Sequence, residues 1–155
     1  MESPSFDLIE EFHSEDIMSY NHSKIIHRLS VALDRYDDEY DILPELELEL
    51  ATGKCKPDVS VFPKRLEDWE NDIIYYSQPP IIAIEIQSPR QATTDITGKM
   101  NAVYFPAGVQ SVWIIVPSLQ MVQIRTLSGS KVTYTDGIVK DPGTGVEIPF
   151  NKIFR

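Results

Sequence analysis

The run between Pro80 and Pro89 carries the clearest pattern of hydrophobic and polar positions in the chain. Its letters, PIIAIEIQSP, are rich in β-branched residues and are closed by proline at both ends, which predicts a strand buried within a sheet. Side chains alternate along a strand, so Glu85 and Gln87 share one face while the isoleucines at 82, 84 and 86 take the other. Glu85 therefore needs a partner inside the fold, because desolvating a lone carboxylate costs several kcal/mol.

A second short apolar run begins directly after Asp58 and extends to Phe62. Alternation would point its two valines toward the core and Asp58 toward the opposite side. Two neighbouring strands that each present one acid on the same layer can hold a divalent cation between them. Asp58 is therefore the expected companion of Glu85, although a turn or capping role for Asp58 stays open.

Longer patterns predict the other elements. Apolar residues at i, i+4, i+7, i+8 and i+11 predict an amphipathic helix from Asn21, as its N-cap, to about Arg35. Strict alternation predicts one half-buried strand from Tyr40 to Leu50, joined to the Asp58 strand as a hairpin through a turn at residues 52–54. Residues 1–19 could form a turn of helix or a docking strand. The remaining expectations are a long loop (63–79), a helix ended by Pro106-Ala107-Gly108 (91–105), a buried strand (110–116), an alternating strand (121–126) and weaker strands near 132–134 and 138–139.

Length and composition predict a single domain over residues 1–155, since 155 residues with 42% hydrophobic content suit one core. No apolar run approaches the roughly 18 residues of a membrane helix. The six acids before Tyr20, with no lysine or arginine among them, are unlike a signal peptide, so we expect a cytoplasmic protein with no membrane partner. The single cysteine, Cys55, excludes an internal disulfide and a cysteine-based zinc cluster, and is most simply an idle thiol.

The net charge of −10 counts against nonspecific binding of a polyanion, but it is unevenly spread. Residues 34–50 hold eight acids and a single base, whereas residues 54–65 hold four bases and only Asp58 as an acid. The basic cluster therefore flanks the candidate site.

Short motifs follow one another along the predicted order of helix, three strands, helix and strand. They are Pro57-Asp58, Glu85-Ile86-Gln87-Ser88-Pro89, Asp95 with Lys99, Tyr104, Gly108-Val109 and Val112-Trp113-Ile114-Ile115-Val116-Pro117. With these motifs, over roughly residues 20 to 127, the chain resembles the PD-(D/E)XK nuclease superfamily. It is most similar to the Uma-type group of bacterial restriction endonucleases, whose biological role is largely unknown.

The resemblance implies an α/β fold, a restriction-endonuclease-like core with a mixed sheet flanked by helices. It implies a magnesium-dependent DNA endonuclease, with Mg²⁺ or Mn²⁺ held by Asp58, Glu85 and the backbone carbonyl of Ile86. Gln87 and Lys99 would then position the water and the phosphate. Related nucleases often act as dimers, so we expect a homodimer, with Val122 and Ile124 as its contact patch.

Two departures from the family pattern affect these expectations. Gln87 stands where the superfamily motif has lysine, so either the site is inactive or Lys99 supplies the charge from the following helix. Tyr104 follows Lys99 by five residues instead of the family's four, a shift of about 100° around a helix. Either Val103 takes the tyrosine's position, or the helix bulges.

Two other functions stay open: a binding or scaffold module that has lost hydrolysis, and a metal-dependent hydrolase of a substrate other than DNA. Glu85 could also be a buried ion-pair partner of Lys99 without a metal. His22 matches a family histidine, but a capping or surface role is equally reasonable. Glu49 is a candidate further acid of the site, whereas Glu45 and Glu47 are most simply solvated. His13 and His27 are expected to be structural.

Overall fold

A mixed six-stranded sheet with helices on both faces dominates the computed structural model, which describes residues 18–89 and 91–155. The predictions for residues 1–17, including His13, lie outside this range. The strands are β1 (Tyr40–Pro44), β2 (Leu48–Leu50), β3 (Gly53–Cys55), β4 (Val59–Pro63), β5 (Ile82–Ile86), β6 (Ser111–Val116), β7 (Met121–Thr126), β8 (Lys131–Tyr134), β9 (Ile138–Lys140) and β10 (Glu147–Pro149). The helices are α1 (Tyr20–Leu33), α2 (Thr93–Lys99) and α3 (Phe105–Ala107), with a π-helical segment, Met100–Tyr104, between α2 and α3.

The strand order of the main sheet is β1-β4-β5-β6-β7-β8. Neighbouring strands are antiparallel except for β5 and β6, which are parallel and are connected through α2, the π-helical segment and α3. The pairs β2-β3 and β9-β10 form two separate ribbons. The predicted α/β fold with a mixed sheet is therefore confirmed. None of the helices in the described ranges has the length and apolar content needed to cross a membrane.

Helix α1 covers one face of the sheet and begins earlier than predicted. Its N-cap is Ser19 and not Asn21, because the Ser19 hydroxyl accepts a hydrogen bond from the backbone N–H of His22 at 3.3 Å. The stripe of Ile25, Leu29 and Leu33 is buried against the isoleucine face of β5. That packing fixes α1 along the sheet, with its N-terminus beside the ends of the central strands.

The single strand predicted from Tyr40 to Leu50 is wrong. Pro44 has no N–H for a strand ladder, and Glu45 takes a left-handed backbone with φ of 54°. The chain turns there, so β1 joins the main sheet beside β4 while β2 pairs with β3. The turn at residues 52–54 consequently closes the small ribbon and does not join it to the Asp58 strand.

The second helical region packs on the other face of the sheet. It begins at Thr93, two residues later than predicted, and Asp95 accepts a hydrogen bond from the N–H of Ala92 at 3.2 Å at its start. Ile96, Met100 and Tyr104 are buried against the face that carries Ala83. The predicted stop is confirmed, since the chain leaves the helix at Gly108 with a left-handed φ of 98°.

The predicted dimer patch is wrong. Val122 and Ile124 are both fully buried, and β7 lies between β6 and β8 within the sheet. These side chains belong to the core beneath α1 and cannot meet a second copy of the chain. The homodimer itself stays a prediction without an assigned surface.

Candidate active site

Strand register brings the two predicted acids to the same face of the sheet. Val59 pairs with Ile84 in the antiparallel β4-β5 ladder, and continuing that register by one residue sets Asp58 opposite Glu85. Directly opposed residues of such a pair project from the same face. A hydrogen bond at 2.7 Å from the backbone N–H of Ile86 to Asp58 Oδ2 ties the strand ends together.

Glu85 is buried, with 3% of its surface exposed, and both of its oxygens have protein partners. The Tyr104 hydroxyl donates to Oε2, and Lys99 Nζ lies 3.6 Å from Oε1. Burial raises the pKa of Glu85 to about 7; the negative charge of Asp58 adds to this, while Lys99 and the Tyr104 hydrogen bond act against it. Near neutral pH the carboxyl is therefore divided between its protonated and charged forms.

Asp58 is held by α1 as well as by β5. His22 Nε2 lies 2.7 Å from Asp58 Oδ1 and donates to it in the tautomer that carries the proton on Nε2. His22 is buried, so a surface role for it is wrong, and its Nδ1 has no hydrogen-bond partner among the described residues. Asp58 thus has its carboxylate oriented by a helix and a strand, and each oxygen keeps a further lone pair.

The π-helical segment explains the spacing of Lys99 and Tyr104. In a regular α-helix, residues five apart lie about 140° apart around the axis, whereas one π-turn absorbs the extra residue. Both side chains consequently reach Glu85. Val103 packs instead toward the ribbon, where its carbonyl accepts a hydrogen bond from the Thr52 hydroxyl at 2.7 Å. Of the two alternatives that the sequence leaves open, the helix bulge is confirmed.

Gln87 is engaged with the start of α2. Its Nε2 donates to the carbonyl of Gln91 at 3.1 Å, and its Oε1 accepts from the Thr93 hydroxyl at 3.4 Å. The side chain is half-buried and borders a cleft of about 520 Å³ between the N-terminus of α1 and the ends of β5 and β6. In this arrangement Gln87 holds the connection that leads from Glu85 to Lys99.

Within the described ranges, the side chains of the other candidate residues make no hydrogen bond or ion pair with Asp58 or Glu85. Glu45, Glu47 and Glu49 are exposed, and Glu49 stands opposite Lys54 in the small ribbon. His27 is exposed on α1. Burial, with the charge of Glu85, raises the pKa of the free, half-buried Cys55 to about 11, so its thiol stays protonated at neutral pH.

The donor set suits a small hard cation. Over residues 18–89 and 91–155, no group of three or more His, Cys, Asp or Glu side chains could enclose a metal ion. Mg²⁺ does not require such a cage, because it keeps several waters and is usually bound through one or two carboxylates plus substrate oxygens. Asp58, Glu85 and the carbonyl of Ile86 are therefore compatible with Mg²⁺ or Mn²⁺ and not with a structural zinc site.

Comparisons with known proteins agree with the fold. The model of the Uma2 family, described as "Putative restriction endonuclease", matches residues 5–149. A crystal structure described as a putative nuclease belonging to DUF820, from Anabaena variabilis, is similar with a TM-score of 0.76 and 21% identity, over 89% of this chain and 82% of that chain. At that identity the likeness shows the fold alone. No curated protein matches the chain.

Proposed function

Since the chain belongs to the Uma2 family of restriction-endonuclease-like proteins, we propose that it is a metal-dependent endonuclease that hydrolyses phosphodiester bonds of DNA. The observation that carries the proposal is the buried carboxyl of Glu85, set by register opposite Asp58 and raised in pKa to about 7. Two acids at the end of buried strands are a costly arrangement for the fold alone. A bound cation would offset that cost, so the pair is typical of a functional site.

In this proposal Asp58, Glu85 and the carbonyl of Ile86 hold Mg²⁺ or Mn²⁺. The ion, when bound, neutralises charge on the phosphate and acidifies a water molecule. Glu85 must give up its proton to act as a ligand, and the Tyr104 hydroxyl keeps its carboxylate in one orientation. His22 does the same for Asp58.

Lys99 takes the role of the lysine that the superfamily motif has at the position of Gln87. Its side chain keeps 32% of its surface exposed while its ammonium lies 3.6 Å from Glu85 Oε1, so it can reach both the acid and a phosphate that arrives from solvent. An ammonium placed there stabilises the negative charge that develops on the phosphate. Gln87 contributes by fixing the connection between β5 and α2.

A binding or scaffold module is the second candidate, and one observation favours it. Both carboxylates already have hydrogen-bond or ion-pair partners within the chain, from His22, Ile86, Tyr104 and Lys99. Such a network could be structural, with Glu85 and Lys99 as a buried ion pair. A hydrolase of a substrate other than DNA would use the same residues. The cytoplasmic location and the single domain stay predictions.

Plasmid cleavage with Mg²⁺ and with Mn²⁺ tests the proposal. We expect the parent protein to nick or linearise the plasmid in a metal-dependent manner, and Lys99→Ala to be about 100-fold slower while it still binds the metal. Gln87→Lys should preserve or raise the rate. Lys131→Ala, at an exposed lysine of β8, is the matched control and should cleave as the parent does.

Two results would count against the proposal. Full activity in Lys99→Ala would remove the role assigned to Lys99. An intact plasmid with both metals, from a protein that binds them, would favour the scaffold module or a different substrate.

A further inference from the structure

Three clefts that share lining residues follow one another along α1, from Gln87 beside the candidate site to Arg35. The first, of about 520 Å³, is bordered by Gln87 at the site and by Asn21 and Pro117 at its far end. The second, of about 260 Å³, shares Asn21 and Pro117 with the first and continues to Arg28. The third, of about 340 Å³, shares Arg28 with the second and ends at Arg35. We call these three clefts together the α1 groove.

The ionisable side chains that line the second and third clefts are all basic within the described part of the chain. They are Lys24, His27, Arg28, Arg35, Lys152 and Arg155. The whole chain has 24 acids and 14 lysines and arginines, so a groove wall with five of those 14 and no acid is a strong local departure. The groove is therefore a positive surface on a negative protein, and it would attract a polyanion at short range.

Backbone contacts hold two arginines in the groove, one in α1 and one in the short 3-10 turn that follows it. Arg28 Nη1 donates to the carbonyl of Ile153 at 3.2 Å, and Arg35 Nη1 donates to the carbonyl of Glu147 at 3.5 Å. A guanidinium has five N–H donors, so each arginine keeps further donors for a ligand. The Glu147 carboxylate pairs with Lys140 at 3.6 Å. The guanidinium groups are thus anchored and still able to bind oxygen atoms of an anion.

The length of the basic wall suits a linear polyanion better than a single small anion. Lys24 and Arg35 are 11 residues apart along α1 and the 3-10 turn after it, a distance of about 16 Å at about 1.5 Å per residue. One DNA strand has a phosphate about every 3.4 Å along the helix axis, so this distance spans about five phosphates. The first cleft also borders Gln87, two residues after Glu85 and at the connection to α2.

We propose that the α1 groove binds the phosphodiester backbone of the nucleic acid where it leaves the candidate site. This rests on the proposed nuclease function. The basic side chains supply affinity without reading sequence, since contacts to phosphate position a nucleic acid and contacts to bases specify it. The groove also explains how a protein of net charge −10 can approach a polyanion, through one surface from which acids are absent in the described residues.

Binding measured without metal separates this proposal from the cleavage reaction. Fluorescence anisotropy of a labelled 20-base-pair duplex, in EDTA and over a series of salt concentrations, gives the slope of log affinity against log salt. We expect Lys152→Ala to lower the magnitude of that slope by about 0.9, because fewer counterions are released on binding when one phosphate contact is lost. The double variant Lys24→Ala/Lys152→Ala should lower it by about 1.8. Lys131→Ala changes the net charge equally and should leave the slope unchanged.

The same titration with single-stranded DNA and with RNA of equal length shows which nucleic acid backbone the groove binds most tightly. Polyglutamate of equal charge tests whether any linear anion binds there. Equal slopes for Lys152→Ala and Lys131→Ala would overturn the groove proposal even where the parent cleaves plasmid. Binding of polyglutamate as tight as that of every nucleic acid tested, with the same dependence on Lys152, would also overturn it. A slope that depends on Lys152 in a protein that never cleaves would support the groove and refute the nuclease.

Discussion

Replacing Glu85 by Gln should remove the pH dependence that this carboxyl gives to stability. The carboxyl is 3% exposed, and burial raises its pKa from 4.5 to about 7. Between these values the folded state binds the proton and the unfolded state does not, so stability is lost as the pH rises through that window. The raised pKa corresponds to 7 − 4.5 = 2.5 units, or about 3 kcal/mol at roughly 1.4 kcal/mol per unit.

Urea denaturation of the metal-free protein at pH 5 and pH 8 measures this effect. Gln keeps the shape of Glu85 and its acceptor for the Tyr104 hydroxyl, but it cannot ionise. We expect the free energy of unfolding of the parent to fall by about 2.5 kcal/mol relative to that of Glu85→Gln between the two pH values, slightly less than the full effect because part of it is already lost at pH 5. Glu49→Gln, at an exposed glutamate, is the control for loss of one negative charge.

One outcome would refute the reasoning. If the difference in unfolding free energy between the parent and Glu85→Gln is the same at pH 5 and pH 8, then the carboxyl is not destabilised by burial, and the argument for a cation at this position loses its basis.

Two further predictions concern the residues that the second helical region brings to Glu85. Tyr104→Phe removes the hydroxyl that supports the charged carboxylate, so the free energy of unfolding of the metal-free protein, measured by urea denaturation, should fall by about 1–3 kcal/mol at pH 8 and by much less at pH 5. An equal loss at the two pH values would assign Tyr104 to packing alone. Deleting the exposed Asn101 should convert the π-helical segment to a regular helix and leave Lys99 and Tyr104 on one face. The Asn101 deletion variant should therefore have a higher melting temperature than a variant with Thr97 deleted. The reverse order would contradict the bulge.

The faces of the central strands could be predicted from sequence because alternation is a local property. Glu85 in a run of β-branched residues, and Asp58 ahead of its two valines, are enough to set both acids on one side of the sheet. The residues of α1 that face the core follow in the same way from a period of 3.6, and Ile25, Leu29 and Leu33 are all buried.

Features that depend on tertiary contacts could not be predicted in this way. The alternation continues through Glu45, but beside the missing N–H of Pro44 the left-handed backbone of Glu45 and its hydrogen bond to the carbonyl of Asp58 break the strand there. His22 reaches Asp58 because α1 begins beside β4, and the sequence pattern does not show that placement. The bulge that brings Tyr104 to Glu85 is one of two alternatives compatible with the sequence, since the spacing alone cannot choose between them.

Calorimetric titration of Mn²⁺ into the parent and Asp58→Ala, at pH 6 and pH 8, tests most directly whether Asp58 and Glu85 together hold a cation. We predict one ion per chain for the parent, bound more tightly at pH 8 with release of a proton at pH 6, because Glu85 has a pKa of about 7 and must ionise to bind. Asp58→Ala should show no measurable binding. Equal binding by Asp58→Ala and the parent would contradict the proposed metal site.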